Sequence, residues 1–240
     1  MRIQTEKPQN TGAYEIIPAP ENCSIMPVKC VFDIKAKTEN VITQFRARWV
    51  VCGNHQQPGV NFDLVYSPVV VDMLVKLFLS LVALKGLKWE QFGIITAYLH
   101  AELSDRKLYM IQPVGFEKAD SKGNRLTRLL RKALYSLKQS GILWNNLYHK
   151  ILEAIGFIRL AKDACLYTDD LKGIILILYV DDAPAAAPND ETLKAFLHEL
   201  SKHFKMKILG EPFLGYDIRR GYIDGTTILS YKAYVEKINA

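Results

Sequence analysis

The stretch Leu178 to Ala187, LYVDDAPAAA, sets two adjacent carboxylates, Asp181 and Asp182, at the end of an apolar run. Carboxylates are hard oxygen donors. Acids projecting from rigid strand ends into a basic protein are how a polymerase or nuclease holds divalent cations for phosphoryl transfer. An Asp pair also has a local use, because Asp tolerates tight turns and its side chain bonds nearby backbone amides. The metal reading therefore depends on a third carboxylate elsewhere in the chain.

The composition suits such chemistry without requiring it. The 240 residues are 49% hydrophobic, as in a globular protein able to bury a substantial core, and carry a formal net charge of +6. That excess favours a polyanionic partner, since phosphate neutralisation by Lys and Arg supplies most non-specific nucleic-acid affinity. Cys23, Cys30, Cys52 and Cys165 have neither the close pairing of a zinc site nor the density of a secreted disulfide scaffold, and read as reduced and intracellular. No apolar segment follows a basic start, and the longest apolar run, Val69 to Leu84, is broken by Asp72 and Lys76, so neither a signal peptide nor a membrane span is expected.

Several elements must position the two acids. A polar stretch with Pro18 and Pro20 reads as an arm through Asn22. Val28 to Ile34 and Gln44 to Cys52 read as a β-hairpin around the polar turn KTEN, with Arg46 and Arg48 on one strand face. Apolar residues recur at helical spacing from Val70 to Leu84, before Gly86. Leu87 to Leu99 reads as a buried strand, with a helical end as the alternative; Phe116 to Arg125 reads as a loop before a short strand to Leu130. A second helix carries Leu147, Ile151, Leu152 and Ile155. Two strands around the turn Thr168 to Gly173 lead to the acids, and a third helix starts at the N-cap Asn189. Irregular alternation with hairpins argues α+β with a mixed or antiparallel sheet.

The stretches FRARWVVCGNHQQPGVNF, YSPVV, ITAYLHAEL, LYMIQPVGFE, LRKALYSLKQS with Trp144, GF with DACLY, LYVDD, HFKMKILGE and FLGYDI follow one another in an order and spacing that resembles the reverse transcriptase domain of Ty1/copia-type retrotransposons, from about Gly12 to Asn239. The resemblance implies a right-hand polymerase fold, fingers and palm with the start of a thumb. The expected divisions are an arm at 1–22, fingers at 23–86, a palm at 87–220 with an inserted fingers segment at about 107–145, and the start of the thumb at 221–240. It implies extension of a primer on an RNA or DNA template with deoxynucleotides, and two Mg²⁺ (or Mn²⁺) ions, one activating the 3′ hydroxyl and one cradling the triphosphate.

Three acids commonly hold those ions in the family. Two match Asp181 and Asp182. The third belongs in a motif that commonly reads like QMDVKTAFLNG, and the corresponding segment here is QFGIITAYLHA, which places Gly93 where the Asp is usual. Glu90, three residues away, falls on the opposite strand face, and Gln91, on the correct face, offers a neutral amide. Metal binding is therefore expected to be weak and polymerase activity low or absent.

Other departures fall nearby. Ser136 and Gly141 stand where LYGLKQAPRAW-type motifs have Gly and Pro; the linker before FLG retains only Pro212; and APAAAP offers small residues and prolines, poor strand formers, where a β-branched strand is usual. Surviving matches imply a nucleotide site at Arg46, Arg48 and Tyr98, the last as an aromatic steric gate. They also imply template or primer contacts at Tyr135, Ser136, Lys138, Gln139, Tyr179, Leu214 and Gly215. From a different class, the alternative is a non-catalytic nucleic-acid-binding or scaffold protein on the same fold.

Overall fold

The computed structural model describes residues 4–5, 12–21, 23–36, 42–104, 106–209, 213–214, 216–220, 226–232 and 235–236. The KTEN turn, Pro212 and Gly215 lie outside these, as does the side chain of Arg46. In chain order the elements are β1 (Gln4–Thr5), β2 (Tyr14–Pro18), β3 (Ile25–Met26), β4 (Val28–Ala36), β5 (Ile42–Val51), α1 (Asp72–Leu84), β6 (Lys88–Ile94), β7 (Tyr109–Met110) and β8 (Leu126–Leu130). They continue with α2 (Ser140–Ala154), β9 (Ile158–Arg159), β10 (Leu166–Asp169), β11 (Ile174–Ile177), β12 (Asp182–Ala187), α3 (Asp190–Ser201), β13 (Met206–Leu209), β14 (Asp217–Arg220) and β15 (Thr227–Ser230). The fold is thus mixed α/β, and the chain forms two units, 1–67 with 98–144 and 68–97 with 145–240.

In the first unit β4 and β5 form the expected antiparallel hairpin, with β1 added parallel to β5. A second sheet, ordered β2-β8-β7-β3, encloses a core that includes Met26, Leu99, Leu108, Met110 and Leu130. Part of the stretch read as an arm belongs to this sheet. Tyr14 to Pro18 is its edge strand, anchored by the buried Ala13 and Tyr14, and its proline sits at the strand end. A missing N–H is tolerated at such an edge.

The second unit is built on one antiparallel sheet, ordered β13-β6-β12-β11-β10-β9. On one face α1 buries Leu74, Val75, Phe78 and Val82 against Ile177, Ala186 and Leu166. On the other, Phe196 of α3 meets the rings of Phe92 and Phe157 at 6.2 and 5.0 Å. Asn189 caps α3 as expected, its side chain accepting from the Thr192 N–H at 2.8 Å.

The stretch DAPAAA, expected to resist strand formation, is instead a central strand paired along its whole length with β6. Its residues 183–187 are all buried, so packing on both faces of the sheet overrides intrinsic preference. The proline leaves a local trace. Pairing with β11 exists at Tyr179 and Asp182 and again at Leu176 and Ala185, and the position between that would receive a donor from β12 is Pro184 opposite Ile177. Proline has no N–H to give there, and the ladder is interrupted.

Candidate active site

The two acids sit where β11 turns into β12. Tyr179 and Asp182 exchange backbone hydrogen bonds of 2.8 and 2.9 Å, closing a tight turn over Val180 and Asp181. Val180 lies in the left-handed region at φ 55°, a conformation that costs a β-branched residue about 1–2 kcal/mol and is sustained here by the sheet on either side. The Asp181 carbonyl accepts from the Ile94 N–H at 2.8 Å, which ties the turn to the end of β6. Both acids are partly exposed.

Gly93 stands directly opposite Asp182 in the β6–β12 pairing. A Cβ at position 93 would lie 2.8 Å from Asp182 Oδ1, 3.1 Å from Leu209 Cδ1 and 3.3 Å from Lys207 Cε. The fold therefore brings the position where a third acid is expected against Asp182, one of the adjacent pair. Strand alternation puts Glu90 on the other face, which is packed by α3, and Gln91 on the same face as Gly93. Gln91 is buried, and its Oε1 has no hydrogen-bond partner among the described residues. Among those residues no three His, Cys, Asp or Glu side chains gather closely enough to hold a metal ion. Two carboxylates leave a pair of hard divalent cations short of anionic oxygens, so the residues present do not complete the cage.

Tyr179 belongs to the same unit as the acids, as does Leu214, which has a positive φ of 51°. Arg46, Arg48, Tyr98, Tyr135, Ser136, Lys138 and Gln139 belong to the other unit, where Arg48, Tyr98 and Tyr135 come together. Tyr98, in the 3₁₀ turn Ala97–His100, meets the Tyr135 ring edge-on at 5.1 Å, and the Arg48 guanidinium lies 5.8 Å from the same ring. Arg46 is on β5 with Arg48. Ser136 is exposed with φ 74°, a conformation that favours glycine.

Lys138 is exposed, whereas Gln139 is buried. Gln139 accepts from Gln56 Nε2 at 2.9 Å and donates to the Asn61 carbonyl at 3.0 Å, while Gln56 Oε1 accepts from the Lys138 N–H at 2.7 Å. Sequence reading missed this network because Gln56 and Gln139 are far apart in the chain. It also missed the close approach of Gly53 to Ser136: a Cβ on Gly53 would collide with the Ser136 carbonyl oxygen.

A second anchor was equally hidden. Asp72, in the first turn of α1, accepts from the hydroxyl of Tyr216 and is ion-paired to Lys76 at 2.7 Å. The Tyr216 and Tyr231 rings lie 4.1 Å apart, so the β14–β15 hairpin is fastened to α1. The Lys76 contact, then the Tyr216 hydroxyl, hold the Asp72 carboxyl below its ordinary value; burial, then Asp72, push the Tyr216 phenol up. The i, i+4 spacing of Asp72 and Lys76 was visible in sequence; the tyrosines were not.

Comparison with known families gives the class: the family described as reverse transcriptase (RNA-dependent DNA polymerase) matches residues 11–240. The chain belongs to this family, and within it to the copia-type retrotransposon group. It is 32% identical to the retrovirus-related Pol polyprotein from transposon TNT 1-94 of Nicotiana tabacum, over 99% of this chain and 18% of that protein. It is 30% identical to the corresponding polyprotein from transposon RE1 of Arabidopsis thaliana, over 85% of this chain and 14% of the relative. A putative transposon Ty5-1 protein of Saccharomyces cerevisiae is 33% identical over 59% of this chain and 46% of its own length. The chain thus spans less than a fifth of the two plant polyproteins. No helix among the described residues is long and apolar enough to cross a membrane.

Proposed function

We propose that this chain is a reverse transcriptase domain whose own polymerase activity is weak or absent. On this reading the fingers, 23–86, carry the nucleotide residues Arg46 and Arg48, and the palm, 87–220 with an inserted fingers segment at about 107–145, carries Tyr98, Asp181 and Asp182, with the start of a thumb at 221–240. Its partners on this reading are an RNA or DNA template-primer and deoxynucleotides. Mg²⁺ or Mn²⁺ would supply activation of the 3′ hydroxyl and neutralisation of the triphosphate, and no step is routed through ions that two carboxylates hold poorly. One observation carries the reading: Gly93, with no side chain, occupies the place facing Asp182 Oδ1.

Primer extension with Mg²⁺ and with Mn²⁺ tests it. The expected outcome is little incorporation by the natural chain; robust incorporation abolished by Asp181→Ala would refute impairment.

The second reading is a non-catalytic nucleic-acid-binding or scaffold role. It is favoured by the continuous sheet and buried core around a pair of acids with Gly93 opposite Asp182, together with the net charge of +6. It requires salt-dependent binding to a primer-template or structured RNA that Asp181→Ala leaves unchanged; absence of binding at low salt removes it.

A further inference from the structure

Strand β4 forms one edge of its three-stranded sheet, ordered β1-β5-β4. Its apolar side chains are unusually open to water: Val31 is 37% exposed, Phe32 77% and Ile34 56%. A long, flat, hydrophobic edge strand is a template for pairing with another strand. The register shows which backbone groups are available. The Cys52 N–H donates to the Pro27 carbonyl, so in the β4–β5 pairing the odd-numbered residues of β4 bond to β5. Val28, Cys30, Phe32 and Ile34 therefore turn their N–H and C=O groups to the open edge, where no strand pairs with them among the described residues.

We infer that this edge is an interface for a second copy of the chain, the two β4 strands pairing antiparallel about a two-fold axis at Val31. The hydrogen-bonding pattern and the charges select this occupant and this register together. Outward-facing residues must meet outward-facing residues, which permits only registers whose axis passes through a residue. With the axis at Val31, Val28 meets Ile34 and Cys30 meets Phe32 in hydrogen-bonded pairs, joining the exposed Cys30, Phe32 and Ile34 side chains and the half-buried Val28 into one stripe. On the other face Lys29 meets Asp33 of the partner copy, twice by symmetry, in the non-hydrogen-bonded pairs where side chains come closest. With the axis at Cys30, Lys29 faces Val31; at Phe32, Asp33 faces Val31; at Asp33, the carboxylate faces its own copy; and at Ile34 fewer strand residues overlap. Only the Val31 axis combines a long overlap with opposed charges, and an isologous contact of this kind closes the dimer.

The test uses the full chain. In a Cys30→Ser background, Val31→Cys places one thiol of each copy on the axis, at a separation a disulfide can span; mild oxidation is expected to give a covalent dimer. Sedimentation at increasing concentration should show dimer formation that Lys29→Asp weakens about tenfold and that Lys29→Asp with Asp33→Lys restores. These positions are exposed, and an unchanged far-ultraviolet circular dichroism spectrum confirms that each variant is folded. A monomer at all concentrations, a dimer that Val31→Cys fails to cross-link, or a charge exchange that fails to restore pairing would each overturn the proposal, the last two assigning any dimer to another face or register.

Discussion

Gly93 and Asp182 are cross-strand neighbours, and a single carbon added at Gly93 would come within 2.8 Å of the Asp182 carboxylate. Anything larger placed there must move Asp182, Leu209 or Lys207, whose contacting atoms are all side-chain ends. Gly93→Asp is accordingly expected to fold but to lose about 1–3 kcal/mol without metal, through crowding and repulsion of like charges. Mg²⁺ should recover much of that loss, because binding to the folded state alone stabilises it. Thermal unfolding with chelator and with Mg²⁺ measures this, and Gly93→Ala, which crowds without adding charge, should show no Mg²⁺ effect. Primer extension by Gly93→Asp should exceed that of the natural chain if the cage is the only defect.

Gln139 shows that a motif residue can serve the fold. Its buried amide bonds Gln56 and the Asn61 carbonyl, so Gln139→Ala leaves buried polar groups without partners and is expected to cost about 1–3 kcal/mol. Lys138→Ala, at an exposed position, should change stability by about 0.5 kcal/mol or less while reducing affinity for a primer-template. Chemical denaturation and a binding titration on both variants separate the roles.

Ser136 holds φ 74°, and Ser136→Gly removes the left-handed penalty at the expense of unfolded-chain entropy, for an expected gain of about 0.5–1 kcal/mol. Gly53→Ala is the opposite case. The added Cβ runs into a backbone carbonyl oxygen, and a loss of about 3 kcal/mol or more is expected from denaturant midpoints.

Asp72 and Tyr216 set the acid and alkaline behaviour of the α1 anchor. The Asp72 carboxyl is lowered, so its contribution is present above the ordinary carboxylate range and lost as pH falls through the folded value. The Tyr216 phenol is raised, so its contribution is present below the ordinary tyrosine value and lost as pH rises. Asp72→Asn should flatten the acid side of a plot of thermal midpoint against pH and lower the pH at which Tyr216 ionises.

Tyr167, buried in the second unit, is pushed up to about 12 by burial, against an ordinary value of 10.0. Its contribution is whole below 10.0 and is lost as pH rises toward about 12. Ultraviolet titration of the natural chain against Tyr167→Phe should show one phenol fewer ionising as pH rises toward about 12.

Much of this was legible from the chain itself. The three helices carried their own apolar spacing, Asn189 announced a cap, and the β4–β5 hairpin followed from two β-rich runs. Local rules suffice where a segment's own period decides which face it buries. They failed at DAPAAA, whose small residues and proline argue against a strand taken alone, and at Tyr14 to Pro18, where the prolines suggested an arm. In both, partners distant in the chain supply the ladder and the burial that the local sequence lacks.

The candidate site divides along the same line. The sequence by itself determined the family, the pair Asp181 and Asp182, and the absence of an acid at Gly93, because these are facts of residue type and order. Only the tertiary structure decided that Gly93 faces Asp182, that Gln139 is consumed by Gln56 and Asn61, and that Asp72 fastens Tyr216. Those relations join residues far apart in the chain, and strand register and packing fix them where local periodicity carries no information about who sits opposite whom.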